Sequence, residues 1–232
     1  MATPAAHTVW ADPAPAGASP ALEPGDQLSR DEFERRYERM PHGRKAELIE
    51  GTVFMPSPLR VEAHAKPHIR LATWLGNYES ETPGVLSLDN SSVRLDLDNE
   101  PQPDLILIKL PVKGGQARIS EDDYIEGAPE LAVEIVGSSR AYDLHKKKGA
   151  YRRNGICEYL AWITSERRVV WWELHEGEYE EIPADNDGLL KSRVFPGLWL
   201  DVRALLRGEL KAVLATLRRG IESPEHAAFL AS

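Results

Sequence analysis

Two carboxylates set in strongly apolar segments are the residues of this chain whose positions suggest chemistry. Asp104 opens the run DLILI directly after Pro103, and Glu134 lies in the middle of LAVEIV. A buried carboxylate without a partner costs several kcal/mol, so Glu134 needs a compensating group. Runs this apolar are typical of strands at the centre of a sheet that is covered on both faces. We therefore predict that Asp104, at a strand end, and Glu134, in a neighbouring strand, converge on one point.

A converging pair of carboxylates is suited to binding a metal ion. Two carboxylates a few ångströms apart repel each other, and a hard divalent cation relieves that repulsion by taking their oxygens as ligands. A cation held in this way activates water and polarises a phosphoryl oxygen. The structural alternatives are a turn aspartate after proline for Asp104 and a solvated strand face for Glu134. The neighbours Ala132 and Val136 do not indicate such a polar face, which favours the metal site.

The segment after Glu134 contains a lysine that can assist this chemistry. Asp143, Lys147 and Tyr151 recur at intervals of four, so they share one face of a predicted helix that ends near Gly155. A lysine near a metal site can position water or neutralise charge on a scissile phosphate. Asp143 is more typical of a first-turn acid that the helix dipole stabilises, and Tyr151 is more typical of core packing.

The remaining pattern predicts a mixed α/β domain around one central sheet. Ser29 and Glu32 have the spacing of a capping box that opens a short helix. Residues 61–78 carry apolar side chains at helical spacing, with Ile69 and Leu75 on the predicted stripe. The predicted strands and hairpins cover residues 45–55, 84–89, 92–98, 103–110, 129–136, 158–163, 168–174 and 177–182, and helices follow with a break at Ser223-Pro224.

Composition indicates an ordinary globular protein, since the 232 residues are 42% hydrophobic and 28% charged. Residues 1–25 are rich in proline and alanine without periodicity, so we expect a disordered leader before a single domain over residues 26–232, with a helical extension from about residue 202. The single cysteine, Cys157, excludes an intrachain disulfide and indicates a reducing, cytoplasmic setting. No apolar run approaches the roughly 18 residues that a membrane span requires. The net charge of −9 argues against indiscriminate coating of nucleic acid.

Several motifs, in a fixed order, resemble those of one nuclease family. The ordered set comprises ELIEG, His64, QPDLILI, GAPELAVEIV, SSRAYD, Lys147, AYRRNGICEYLAW and FPGLWLD. It resembles the Uma-type family of restriction endonucleases, within the PD-(D/E)xK nuclease superfamily, over most of the chain. The resemblance implies a restriction-endonuclease-like core in which helices flank a central mixed β-sheet. It also implies a metal-dependent endonuclease that hydrolyses DNA phosphodiester bonds with Mg²⁺ or Mn²⁺.

The same resemblance implies roles for four residues. It matches Asp104 and Glu134 to the family's metal pair, and Glu47 of ELIEG to an upstream acidic residue that joins the metal site. Lys147 matches the lysine of the family's helix. The chain departs from the parent nuclease motif at Val136, two positions after Glu134, where that motif has a lysine. Lys147 would then supply the amine from the helix, as occurs in some branches of the superfamily.

Alternatives stay open for the residues around this site. Lys146 and Lys148 are adjacent rivals of Lys147, but they point about 100° to either side of it on the helix. The basic residues of the segment 140–153 are the electrostatic partner of a phosphate backbone or, alternatively, a solubilising face. His64 has no second histidine at an obvious metal spacing and is more typical of a hydrogen-bonded or helix-surface residue.

Other functions and a dimer are also alternatives. One is a catalytically degenerate domain of the same fold that binds nucleic acid or a protein partner without cutting, which Val136 keeps open. Another is a metal-independent glycosidase that uses Asp104 and Glu134 as acid and base, although no sugar-binding aromatic pattern is evident. The leucines of the C-terminal helices, residues 205–217, either support a homodimer or cover the sheet. The sequence does not distinguish a DNA substrate from an RNA substrate.

Overall fold

The computed structural model describes residues 20–41, 44–55, 60–137 and 142–231. Most of the expected leader, residues 1–19, and the SSRA segment at 138–141 lie outside these ranges. The described end of the leader contacts the domain, because Leu22 is buried and the Gly25 N–H donates to the Val53 carbonyl. Among the described helices, none combines the length and the apolarity that crossing a membrane requires.

Six α-helices occur in the described part of the chain. They are α1 (Arg30–Tyr37), α2 (Lys66–Ser80), α3 (Lys148–Arg153), α4 (Val202–Arg207), α5 (Leu210–Ile221) and α6 (Pro224–Ala231). Two π-helical segments, Val61–Ala65 and Tyr142–Lys147, lead directly into α2 and α3. Such π-helical turns are frequent at functional sites, and these two contain His64 and Lys147.

Thirteen strands are present in the same described ranges. They are β1 (Glu47–Ile49), β2 (Thr52–Phe54), β3 (Val85–Asp89), β4 (Val93–Arg94), β5 (Leu105–Lys109), β6 (Arg118–Ile119), β7 (Ile125–Glu126), β8 (Leu131–Val136), β9 (Glu158–Ile163), β10 (Arg168–His175), β11 (Glu178–Glu181), β12 (Leu189–Lys191) and β13 (Trp199–Asp201). A central sheet of six strands has the order β11-β10-β9-β8-β5-β3, and β1 and β2 form a separate hairpin beside it.

The central sheet is mixed, as predicted. β8 and β9 run parallel, whereas the other neighbouring pairs are antiparallel. All six residues of β8 and all six of β9 are buried, so these apolar strands lie at the covered centre of the sheet. The apolar runs around Asp104 and Glu134 therefore belong to adjacent central strands, β5 and β8.

Each face of β8 packs into a different hydrophobic cluster, because successive side chains of a strand point to opposite faces. Val133 and Ile135 belong to the cluster that contains Trp74 of α2. Ala132 and Val136 belong to the cluster of Tyr151 and Tyr159 on the other face. Glu134 alternates with Val133 and Ile135, so its side chain shares the second face with Val136.

The C-terminal helices cover the first of these faces. Leu205 of α4 and Val213 and Leu217 of α5 are buried in the cluster that contains Trp74. A Cβ at Gly220 of α5 would lie only 2.1 Å from the carbonyl oxygen of Gly197, so this helix packs directly on backbone. Of the two alternatives for these leucines, covering the sheet is therefore the one that the structure supports.

Two local predictions were wrong. The capping box does not form: the Ser29 side chain makes no capping hydrogen bond, and Glu32 accepts from Arg36 Nε at 2.6 Å instead of reaching back to Ser29. Ile69 is 61% exposed rather than part of the buried stripe of α2. Larger side chains such as Trp74 and Tyr78 occupy the core instead, and they define the buried face of this helix. The β12–β13 hairpin was not predicted from the sequence.

Candidate active site

The pairing of β5 with β8 brings Asp104 beside Glu134. The antiparallel register aligns Leu105 with Val133, so the residue before β5 lies next to the centre of β8. Asp104 Oδ2 accepts the backbone N–H of Ile135 at 2.7 Å, which fixes one oxygen of this carboxylate. Both acids are buried, with 7% of Asp104 and 4% of Glu134 exposed.

Lys147 joins two of the acids from the helical side. Its Nζ lies 2.9 Å from Glu134 Oε1 and 2.7 Å from Glu47 Oε1, and all three side chains are buried. Glu47 projects from the β1–β2 hairpin, and its Oε1 also accepts the backbone N–H of Gln102 at 2.7 Å. The structure thus brings Asp104, Glu134, Glu47 and Lys147 into one buried cluster.

The lysine of the cluster comes from the helix and not from the strand. Val136, at the position two residues after Glu134, is fully buried in the apolar cluster that contains Tyr151. Glu134 and Val136 share a face of β8, and the segment Tyr142–Lys147 lies over that face. Lys147 therefore places its ammonium group next to the Glu134 carboxylate, where the lysine of the parent motif at position 136 would place its own.

Tyr151 has a polar role that the sequence did not reveal. Its hydroxyl donates to Glu134 Oε1 at 2.7 Å, although the ring itself is packed in the core as predicted. The spacing of four residues between Lys147 and Tyr151 was the available signal, because it places both side chains on the β8 side of the helix. Asp143 is also buried, and its backbone carbonyl accepts the Tyr159 hydroxyl at 3.2 Å.

Two histidines line the other side of Asp104. The Nε2 atom of His64 lies 3.4 Å from Asp104 Oδ1, and the Nε2 atom of His68 lies 3.1 Å from the Asp104 backbone oxygen. His68 Nε2 is also 3.0 Å from Asp89 Oδ1, and the two imidazole rings stack with centroids 5.7 Å apart. The sequence favoured a hydrogen-bonded or surface role for His64 and did not point to His68. The spacing of four residues between them is the signal that could have identified the pair.

Burial and the charges of neighbouring side chains together set the ionisation of this cluster. Burial raises the pKa of Glu134 to about 7, against the opposing effect of the Lys147 ammonium. Burial also raises the pKa of Asp104, although the Ile135 N–H favours its charged form. For Lys147, burial opposes the charge, but the Glu134 and Glu47 carboxylates outweigh it and raise the lysine pKa well above its usual value. Burial, then His68, lowers the pKa of His64.

The donor set fits a hard divalent cation bound by few protein ligands. Within the residues that the structure describes, no group of three or more His, Cys, Asp or Glu side chains is arranged to hold a metal ion. Glu47 and Glu134 instead share the Lys147 ammonium. Mg²⁺ is commonly bound through one or two carboxylates, with water and substrate phosphate completing its coordination. Asp104 and Glu134 supply such a pair.

Comparisons with known proteins identify the family of the chain. A family model described as "Uma2: Putative restriction endonuclease" matches residues 30–203. The chain belongs to the Uma2 family. The resemblance that the motifs indicated is therefore confirmed over residues 30–203. A search of curated proteins found no match.

A solved structure has a similar fold. A crystal structure from Anabaena variabilis ATCC 29413, described as "a putative nuclease belonging to DUF820", is similar to this chain with a TM-score of 0.60. The two chains are 16% identical, and the alignment covers 78% of this chain and 98% of that one. Family and fold together indicate a restriction-endonuclease-like nuclease.

Proposed function

We propose that the protein is a metal-dependent endonuclease that hydrolyses DNA phosphodiester bonds. The observation that carries the proposal is the convergence of Asp104, Glu134, Glu47 and Lys147 in one buried cluster at the centre of a nuclease-type sheet. Buried charges are costly, so a cluster of four is best explained by a reaction that uses them. The single cysteine favours a cytoplasmic setting. A dimer is not part of the proposal, because the leucines that suggested it are used in the core.

Asp104 and Glu134 are the residues that would hold the ion, Mg²⁺ or Mn²⁺. When bound, such an ion activates a water molecule and polarises the scissile phosphate. The Ile135 N–H orients the Asp104 carboxylate, and the Tyr151 hydroxyl orients the Glu134 carboxylate. These fixed hydrogen bonds keep both acids in place before substrate arrives.

Lys147 is the residue that stabilises negative charge on the phosphate. Its ammonium stays protonated because Glu134 and Glu47 lie within 3 Å of it, at 2.9 and 2.7 Å. Glu47 Oε1 is already shared by Lys147 and the Gln102 N–H, so the main role of Glu47 is to hold the lysine. Glu47 would join the metal site only through its second oxygen, since Oε1 already has two partners. His64 supports the other side of Asp104.

The decisive experiment is a cleavage assay on supercoiled and linear DNA with purified protein. Wild-type protein should cut with Mg²⁺ or Mn²⁺ and stop cutting when a chelator is added. Glu134→Gln keeps the size of the side chain and removes the charge, so it should not cut. An RNA substrate in parallel distinguishes the two nucleic acids. Cleavage that persists in chelator, or in Glu134→Gln, would overturn the proposed site.

A second candidate is a domain of the same fold that binds nucleic acid without cutting it. Val136 favours it, because the strand lacks the lysine of the parent motif. This candidate predicts that Mn²⁺ raises the melting temperature of the protein while neither DNA nor RNA is cleaved. The same cleavage assay therefore separates the two functions.

A further inference from the structure

The cationic side chains of the segment 142–153 fall into two classes. Arg152 forms an ion pair with Glu178, and Arg153 forms one with Glu50. Lys147 is buried between its two carboxylates. Lys146 and Lys148, on either side of Lys147, have no carboxylate within ion-pair distance among the described residues, although Glu181 attracts Lys148 from farther away. Each of these two lysines lies over an aromatic ring instead.

Lys146 lies over the hairpin side of the cluster and is exposed. Its Nζ is 5.1 Å from the centroid of the Phe54 ring, which packs on Tyr142 with centroids 4.0 Å apart. The Tyr142 ring in turn has the Nζ of Lys147 at 5.5 Å from its centroid. One pair of aromatic rings therefore separates the exposed ammonium of Lys146 from the buried ammonium of Lys147.

Lys148 lies on the opposite side, over the central sheet. Its Nζ is 3.8 Å from the centroid of Trp172 in β10, and Trp172 stacks on Tyr159 with centroids 5.3 Å apart. Tyr159 packs edge to face against Tyr151, the residue whose hydroxyl donates to Glu134. Aromatic contacts thus connect Lys148 with the same cluster from the other direction.

An aromatic partner and a carboxylate partner have different electrostatic consequences. A carboxylate neutralises the lysine or arginine that it pairs with, whereas an aromatic face holds an ammonium in position and leaves its charge uncompensated. A chain with a net charge of −9 repels a phosphate backbone in general. Fixed positive charge that is not held in an ion pair, beside the candidate active site, is therefore what a polyanionic substrate requires.

We propose that Lys146 and Lys148 bind the phosphate backbone of the DNA substrate, one on each side of buried Lys147. This inference rests on the proposed nuclease function and names the surface that the substrate contacts. Residues two apart on a helix diverge in direction, so the two ammonium groups contact different phosphates. Such contacts position the backbone and do not read bases.

The test measures binding of a labelled DNA duplex by fluorescence anisotropy over a series of salt concentrations, with chelator present so that no cleavage occurs. Each phosphate contact contributes about 0.9 to the slope of log K against log salt concentration. Lys146→Gln and Lys148→Gln should each reduce the magnitude of that slope by about this amount. Lys146→Arg and Lys148→Arg, which keep the charge, should restore it.

Arg152→Gln and Arg153→Gln are the matched controls. They change the net charge by the same amount in the same segment, but Glu178 and Glu50 already neutralise these arginines. Their slopes should equal that of the wild type, and circular dichroism should show that every variant is folded. Equal slopes for the lysine and arginine variants would overturn the assignment of this surface. If the wild type cleaves DNA while all slopes stay unchanged, only this inference fails; if it neither binds nor cleaves, the proposed function fails as well.

Discussion

Glu134 and Glu158 lie on the adjacent parallel strands β8 and β9, and both are buried. Burial raises the pKa of each to about 7. Glu158 Oε1 accepts the backbone N–H groups of Arg193 and Val194, at 2.6 and 3.1 Å. Its Oε2 accepts the Ser192 hydroxyl at 2.8 Å and the indole N–H of Trp171 at 3.1 Å. Uncharged donors, two of them fixed backbone groups, thus satisfy both oxygens of Glu158.

Glu134 is satisfied in a different way. Its Oε1 takes the Lys147 ammonium and the Tyr151 hydroxyl, both from side chains, and a second acid, Asp104, lies beside it. A carboxylate surrounded by fixed hydrogen-bond donors, such as Glu158, connects two segments of the chain and has no free position for a further ligand. A carboxylate that a lysine balances can exchange part of that contact for a metal ion or a phosphate. The hydrogen-bond donors around a buried acid therefore indicate whether it serves structure or chemistry, whereas its burial and its pKa do not.

We expect the largest effect from replacing the two acids: Glu134→Gln should mainly reduce activity, and Glu158→Gln should mainly reduce stability. Glu134→Gln should reduce cleavage by more than about 100-fold, the upper value for groups that merely support a metal ligand. Glu158→Gln should instead lower the free energy of unfolding by about 1–3 kcal/mol, because its amide N–H₂ would face other donors. Cleavage rates and urea denaturation of both variants give the comparison. A folded Glu158→Gln protein that no longer cuts would contradict it.

Replacing the cation of the cluster should have the next largest effect. Lys147→Met keeps the length of the side chain but leaves Glu134 and Glu47 without compensation. Breaking a buried ion pair in this way should lower the free energy of unfolding by about 3–5 kcal/mol at neutral pH. Mn²⁺ should then raise the melting temperature of Lys147→Met more than that of the wild type. Equal stability of the two proteins in urea would show that Lys147 does not balance these acids.

Titration of both Glu134 and Glu158 should affect how stability varies with pH. Of these two acids, only Glu134 should affect how metal binding varies with pH. Both carboxyls have a raised pKa in the folded protein, from 4.5 to about 7, so the folded state binds their protons more tightly than the unfolded chain. Stability is therefore greatest below about pH 4.5 with respect to these groups and falls as the pH rises through about 7. A metal ion needs the deprotonated carboxylate, so the increase in melting temperature with Mn²⁺ should grow over the same range.

The control for this pH dependence is the same pair of variants. Glu158→Gln should keep the growth of the Mn²⁺ effect with pH, since Glu158 is not a metal ligand. Glu134→Gln should lose most of it. Melting curves recorded with and without Mn²⁺ across the pH range provide the measurement, and an unchanged Mn²⁺ effect in Glu134→Gln would exclude this acid as a ligand.

The smallest effect concerns single hydroxyl groups. Tyr151→Phe removes one hydrogen bond to Glu134, so cleavage should fall by at most about tenfold, the equivalent of about 1.4 kcal/mol. Ser192→Ala removes one hydrogen bond to Glu158 and the acceptor of the Phe195 N–H, at 2.8 Å, and should reduce stability by about 1–3 kcal/mol without reducing the cleavage rate. Single-turnover cleavage rates and the midpoints of urea denaturation distinguish the effects of these two variants. A Tyr151→Phe protein with full activity would show that the phenol only packs in the core.

Much of the central sheet follows from composition along the chain. β5, β8 and β9 are continuous apolar runs because both faces of these strands are covered, and such runs are readable in a sequence. β4, β6 and β7 have only two residues each, and β12 and β13 only three. Segments this short have no periodicity of their own, so pairing with distant strands creates them.

The candidate site likewise has features that the sequence predicts and features that only the tertiary structure decides. The apolar surroundings of Asp104 and Glu134, and the spacing of Lys147 and Tyr151, are local properties that the sequence alone determined. Glu158, at the start of β9, also adjoins an apolar run, so apolar surroundings by themselves do not separate an acid that serves chemistry from one that serves structure. That distinction depends on the donors that surround each acid: Lys147 and Tyr151 for Glu134, and the segment Ser192–Val194 for Glu158. These donors reach the two strands only when the sheet, the helix and the hairpin pack together. Hydrogen-bond donors from distant parts of the chain therefore decide which buried acid is left available for chemistry.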